Sequence, residues 1–280
     1  MAIPEGLVSR IENLAPMPMT AQRLLSVIND DDVSLADIAR IVEFDEALVS
    51  NTLRVANSVY FYRGKAVSDA RTAVVRLGTT NLFNIILGQY LRQLSVPAPL
   101  YDLSEDDLWF HSTVASLAAE EITRVSPVNI PQIARVGALV HDVGKLIMVR
   151  YFKADYREVL VLSEEKDVSF VEAEHELFGC DHAEVGGAVA QEWTFPDEVR
   201  DAIERHHEVP LENSHPVLDT VVMANLAAKT LSAGLGAEGL NFRVDEKVRV
   251  RLGLEFKSFC RICSRVEEQI AQLRQSYSIQ

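Results

Sequence analysis

Cysteine is scarce in this chain, with three in 280 residues. That is too few, and at positions 180, 260 and 263 too irregular, for the disulfide framework that staples small secreted domains. Long apolar runs are missing as well. No segment approaches the ~20 apolar residues that a membrane-spanning helix needs. The start, Met1 to Gly6, shows no basic stretch leading into an apolar run and a small-residue cleavage site. The expectation is a cytoplasmic protein kept in a reducing compartment, without membrane contact. Positive charge is the third shortage, because 27 Lys and Arg face 41 Asp and Glu, for a net charge of −14. That balance opposes attraction to phosphate backbones and anionic lipid, so no nucleic-acid partner is expected.

What is present reads as helix. With 48% hydrophobic and 24% charged residues, the chain can bury a substantial core as one large unit or two closely packed subdomains. Apolar residues recur at helical spacing, strand signals are hard to find, and helix start signals recur where the apolar stretches begin. Ser34-x-x-Asp37 precedes a stripe of Leu35, Ile38, Ile41 and Val42, while Ser169-x-x-Glu172 and Asp181-x-x-Glu184 have the form of capping boxes. Ser68, Thr80 and Ser104 are further expected N-caps, Gly78 an expected stop, and Pro131 and Pro196 suit first turns. A dozen or so short helices follow from this count. The Pro-rich stretch from Ser95 to Ser104 and the Gly-rich stretch from Ser232 to Gly239 punctuate the chain. They divide it into an N-terminal helical block at 1–103, a second helical block at 104–231 and a C-terminal helical extension at 232–280. No internal repeat or low-complexity tail is present.

Five of the seven His fall where a metal site can use them: His111, His141, His182, His206 and His207. The sharpest local signal is the run His141-Asp142-Val143-Gly144-Lys145. Imidazole nitrogen and carboxylate oxygen suit Zn, Mn, Fe or Ni better than Ca or Mg. Adjacent residues on a helix diverge by ~100°, so His141 and Asp142 share an ion only if other helices supply the remaining ligands. The competing readings are ordinary ones. A lone His-Asp pair is usually a hydrogen-bonding pair. His182 beside its N-cap is then a partly exposed histidine, and His206 and His207 pair with a helix C-terminus. Cys260 and Cys263 have C-x-x-C spacing within one helical stretch, without a second pair to complete a zinc site. Tyr60, Phe61 and Tyr62 form an aromatic cluster beside a helix end, best read as packing.

Taken in order, Leu14–Leu25 (LAPMPMTAQRLL), Leu53–Phe61 (LRVANSVYF), Arg76–Gly78, His141–Lys145 and Asp181–Gly186 (DHAEVG) resemble the HDOD domain. This is a bacterial output domain related to the metal-dependent HD phosphohydrolases. The resemblance covers about residues 8–230. It implies an all-α fold, a multi-helix HD-like bundle packed against an N-terminal helical subdomain, acting in signal transduction. It implies His111 as first metal ligand, His141 and Asp142 as the naming doublet, and His182, His206 and His207 as the additional histidines of two-metal relatives such as the HD-GYP phosphodiesterases. The last ligand, normally Asp, is Asn225 here, a neutral and weaker donor. Asp219, nearly two turns earlier, is the conceivable substitute. Lys145 matches the lysine near substrate phosphate in catalytic relatives, where a cation stabilises phosphoryl charge, and Asp142 is the other catalytic assignment. The segment after Glu208 has no Asp-Gly-x-Gly-Tyr-Pro run, which disfavours cyclic di-GMP hydrolysis.

Two functions follow from the resemblance. The preferred one is a regulatory module working through contacts with signalling proteins, with a His/Asp pocket that holds a divalent transition metal or is vestigial. The alternative is a metal-dependent phosphohydrolase with a phosphoester ligand, its ions activating water while Lys145 steadies phosphate.

Overall fold

Ser34, Ser169 and Asp181 each begin a helix in the computed structural model. Ser34 Oγ accepts from the Asp37 amide at 3.2 Å and donates to Asp37 Oδ2 at 2.6 Å. Ser169 with Glu172, and Asp181 with Glu184, form complete capping boxes. The structure describes residues 3–14, 16–28, 34–43, 45–58, 61–62, 64–94, 105–152, 156–231, 233 and 246–277. Among them there are fifteen helical segments and no strand. In chain order they are α1 (Glu5–Glu12), α2 (Met19–Val27), α3 (Leu35–Glu43), α4 (Glu46–Ala56), α5 (Ala70–Leu94), α6 (Glu105–Val125), α7 (Ile133–Val140) and α8 (Val143–Phe152). After these come α9 (Tyr156–Lys166), α10 (Phe170–Phe178), α11 (His182–Glu192), α12 (Asp197–Arg205), α13 (Pro216–Thr230), α14 (Glu246–Arg251) and α15 (Phe256–Tyr277). None of these helices is long and apolar enough to cross a membrane.

Some boundary signals shift by a residue or two, for local reasons. Asp69, not Ser68, caps α5, accepting from the Thr72 amide at 2.8 Å. Gly78, with φ 74° and ψ 166°, ends one helix as expected, and a second follows at once across a kink, with Thr80 inside it. Glycine takes that positive φ without a Cβ clash. Pro196 is the N-cap of α12 and Pro131 lies two residues before α7, whereas Pro216 does occupy the first turn of its helix. Ser104, Tyr60 and the stretch 95–104 lie outside the described residues, as does 232–239 apart from Ala233.

Contacts group the chain into two units, one of Met1–Pro16 with Leu94–Cys263, the other of Met17–Gln93 with Ser264–Gln280. In the second unit residues 53–58, 61 and 76–78 take structural parts. Asn57 closes the loop after α4 by accepting from the Val67 amide at 2.7 Å and donating to the Val67 carbonyl at 2.8 Å. Arg76 donates to the carbonyls of Lys65 and Ala56. Beneath them Val55, Ala56, Val67, Ala73 and Leu77 form a cluster against which Phe61 packs, while Tyr62 is exposed.

In the first unit α6 and α13 lie along one another and both pack on α7, α8 packs on α11, and α12 touches α7, α11 and α13. The tightest approach is at Gly144, where a Cβ would stand 1.9 Å from the His182 carbonyl oxygen and 2.7 Å from the Gly186 nitrogen. Gly144 is thus a helical residue that lets two backbones meet. Arg251 of α14 grips buried Asp219 of α13 at 2.8 and 2.6 Å. In α15 Cys260 is exposed and Cys263 buried, its thiol pushed up to about 11 by burial. The two thiols therefore do not face one environment.

Candidate metal centre

Five helix ends or faces of the first unit converge on one buried spot. His111 projects from the second turn of α6, His141 is the C-cap of α7, and Asp142 fills the turn before α8, so the doublet sits at a helix junction. His182 opens α11 directly after its N-cap Asp181, and His206 closes α12 with His207 next. His111, His141 and His182 are fully buried, Asp142 is 2% exposed and His206 4% exposed. The bland reading of His182 as a partly exposed helix-start residue therefore fails, whereas His206 does pair with a carbonyl of its helix C-terminus, that of Ile203.

Ligand atoms of Asp142, His182, His206 and His207 lie within 4.8 Å of one another, as do those of His111, His141 and Asp142. Asp142 belongs to both sets. Its Oδ2 is 3.4 Å from His141 Nε2 and 3.7 Å from His111 Nε2, and its Oδ1 is 3.4 Å from His182 Nε2 and 3.6 Å from His206 Nε2. The Nε2 atoms of His111 and His141 are 3.3 Å apart, those of His182 and His207 2.9 Å apart. Two donors at ~2.0–2.1 Å from a common ion lie about 3.0 Å apart at a right angle and about 3.4 Å apart at the tetrahedral angle. The spacings fall close to that range. Within this group Asp142 Oδ1 and His206 Nε2 are buried with no hydrogen-bond partner. Buried polar atoms without a partner are costly. The residues present therefore fit divalent metal.

The opposite ring nitrogens are anchored. The Nδ1 atoms of His141 and His206 face the carbonyls of Ala138 at 2.8 Å and Ile203 at 2.7 Å, and that of His111 faces Ala233 at 3.1 Å. Such partners hold Nδ1–H and leave Nε2 as the ligand atom. His182 is different, because its Nδ1 donates to the Glu174 carboxylate at 2.6 Å. Glu174 is wholly buried and also accepts from the His182 amide.

Burial depresses the pKa of His141, His206 and His207, so these imidazoles are neutral and ready to donate to a metal. Burial pushes His182 the same way, but the Glu174 charge, the hydrogen bond to Glu174 and the Asp142 charge together outweigh it and the net shift is upward. Asp142 is driven up by burial yet ends well below the carboxylate range, held there by His141 when that ring is protonated and by the Lys145 ammonium. Lys145 is no surface residue. It is 2% exposed and donates to Asp142 Oδ2 at 3.0 Å.

Asn225 is buried on α13, the helix that packs along α6 and α7. Asp219 is no substitute for it, since Ser214 and Arg251 already bond its oxygens. Glu174 escapes local motif reading. It is an acid on the buried face of α10 beside Phe170 and Ala173, and a carboxylate on an apolar face is the signal that marks it. A further group, His175 with Asp181 and Glu184, has His175 Nε2 at 3.0 Å from Asp181 and 3.4 Å from Glu184. Both carboxylates there belong to the α11 capping box.

Comparison with known proteins agrees with this architecture. The HDOD domain family model matches residues 14–209. An uncharacterised protein of Treponema pallidum (strain Nichols) is 27% identical over 237 residues, 81% of this chain and 44% of the relative. The chain thus spans less than half the length of that curated relative. An HDOD domain protein of unknown function from Geobacter sulfurreducens superposes with TM-score 0.80 at 23% identity, covering 97% of both chains. A candidate phosphohydrolase from Shewanella amazonensis SB2B gives TM-score 0.71 at 20% identity over 97% of this chain and 98% of the other. A candidate signal transduction protein from Marinobacter aquaeolei VT8 gives 0.79 at 22% identity, over 98% of this chain and 64% of the other.

Proposed function

The chain belongs to the HDOD domain family, and from that premise we propose that it is a signal-transduction module holding divalent transition metal in its His/Asp pocket and acting through protein partners. The observation that carries the metal reading is Asp142, whose two oxygens each face a separate pair of imidazoles. His111, His141 and Asp142 hold one ion, while Asp142, His182, His206 and His207 hold a second, with Fe, Mn, Zn or Ni matching the donors. Bound metal supplies charge and Lewis acidity at a site sealed by burial. One feature favours regulation over turnover: at the position where the resemblance implies a last carboxylate ligand the chain carries Asn225, a neutral and weaker donor. The fold is shared with a candidate signal transduction protein, which agrees with this reading.

A second reading, metal-dependent phosphohydrolysis, is favoured by that same buried ammonium beside the bridging carboxylate, and the fold is also that of a candidate phosphohydrolase. In it Lys145 would bind the phosphoryl oxygens, and the histidines would hold metal that supplies Lewis acidity to a water. Elemental analysis of the purified chain, followed by assays on generic and cyclic-dinucleotide phosphoesters, separates the two. Stoichiometric transition metal with no turnover above an Asp142→Ala control is expected. Turnover abolished by Asp142→Ala replaces the regulatory reading with the enzymatic one, and metal-free, inert protein ends both metal readings.

A further inference from the structure

The two oxygens of Asp142 meet unequal surroundings. Oδ1, toward His182 and His206, has no hydrogen-bond partner, and neither does His206 Nε2. His207 adds a further donor on that side. Oδ2, toward His111 and His141, already accepts from the Lys145 ammonium at 3.0 Å. An ion entering the Oδ1 half meets two unpartnered atoms, Asp142 Oδ1 and His206 Nε2, and no cation. An ion entering the Oδ2 half must displace a cation and then sit close to it, which costs Coulomb energy in a buried site.

The support behind the imidazoles differs at one residue, since His206 in the first half is backed by a carbonyl, that of Ile203. His182 is backed by the wholly buried Glu174 carboxylate at 2.6 Å, whereas His111 and His141 are backed by the neutral carbonyls of Ala233 and Ala138. An anion behind an imidazole raises its basicity as a ligand more than a carbonyl does.

We propose that the pocket loads divalent metal in a fixed order, the His182/His206/His207 half first, with Lys145 acting as a resident competitor for the His111/His141 half and Glu174 as a positioning residue for the first. The inference rests on the metal-binding reading of the same pocket and adds its loading order. Its consequence is that the Lys145 ammonium leaves Asp142 only when the second half fills. The cation that a phosphate ligand would need is then available in the doubly loaded protein alone.

Titration of the metal-stripped full chain with Mn(II), followed by calorimetry and by the EPR signal of free and bound ion, reads the order directly. Two classes of site are expected, one ion each, with separated Kd values. His182→Ala removes the tight class and His111→Ala the weak one. Glu174→Gln weakens the tight class about 10–100-fold and spares the weak class. Lys145→Met tightens the weak class at least about tenfold, the reverse of what loss of a supporting residue does. Should Lys145→Met fail to fold, the His111 and His182 variants still decide the order.

Two classes of equal affinity, loss of the tight class in His111→Ala, or an unchanged or weakened second site in Lys145→Met overturns the proposal while leaving metal binding intact. A folded wild-type chain that binds no Mn(II) overturns it together with the metal reading.

Discussion

Gly144→Ala puts a methyl group where α8 and α11 have no room for one. The new Cβ would stand 1.9 Å from the His182 carbonyl oxygen, 2.7 Å from the Gly186 nitrogen and 2.9 Å from the His182 carbonyl carbon. All three are backbone atoms, so no side chain can rotate away. Ordinary contact begins near 3.4 Å, and the helices must part by about 1.5 Å, the difference between that distance and 1.9 Å. Alanine in an open helix position would stabilise the fold by up to ~1 kcal/mol relative to glycine. Overpacking instead costs ~1–3 kcal/mol, and at roughly 2–4 °C per kcal/mol for a unit of this size the melting temperature falls by roughly 2–12 °C. The sign of the change therefore decides. The site suffers with the fold, because Asp142 adjoins α8 and His182 opens α11. Their 3.4 Å separation cannot absorb such a shift when metal–ligand distances are held within about 0.2 Å. Scanning calorimetry and Mn(II) titration of the variant check both effects. A melting temperature raised above wild type, with both metal classes intact, would refute the close-approach argument.

Asn225→Asp restores a carboxylate to the last ligand position, and slower loss of metal on dialysis against a chelator is expected. Unchanged or faster loss would tell against Asn225 facing the pocket. Arg251→Ala strands buried Asp219, and breaking a buried pair on one side costs ~3–5 kcal/mol, less here because the Arg251 side chain is 32% exposed. Chemical denaturation should show a clear loss that Arg251→Lys restores only in part, since lysine cannot make the two-pronged contact. For the metal-stripped protein, stability should fall as pH drops below about 6.5, the ordinary histidine value. There the unfolded chain protonates at His141, His206 and His207 while the folded chain, with those pKa values depressed by burial, does not. His182 has the opposite sign, its raised pKa adding stability below about 6.5 that is lost as pH rises through its folded value. Three groups outweigh one, so urea midpoints should decline from pH 7.5 to 5.5, and a rising midpoint would overturn the assignment of neutral imidazoles.

Local chemistry is legible along the chain. The capping boxes at Ser169 and Asp181 and the Ser34 cap involve residues three apart, and periodicity marks each helix because its burial repeats every 3.6 residues. The His141-Asp142 doublet stands out for the same reason, as neighbours in one short run. What links His111 to His141 is 30 residues of chain, and His182 to His207 25, so nothing local states that their nitrogens meet. Only packing of α6, α7, α8, α11 and α12 decides that, and it also decides which oxygen of Asp142 each imidazole faces. Glu174 behind His182, Arg251 on Asp219 and the backbone contact at Gly144 belong to the same class. Helix formation depends on interactions within a few residues, whereas a metal pocket depends on distances between helices, which glycine, side-chain volume and buried charge set together.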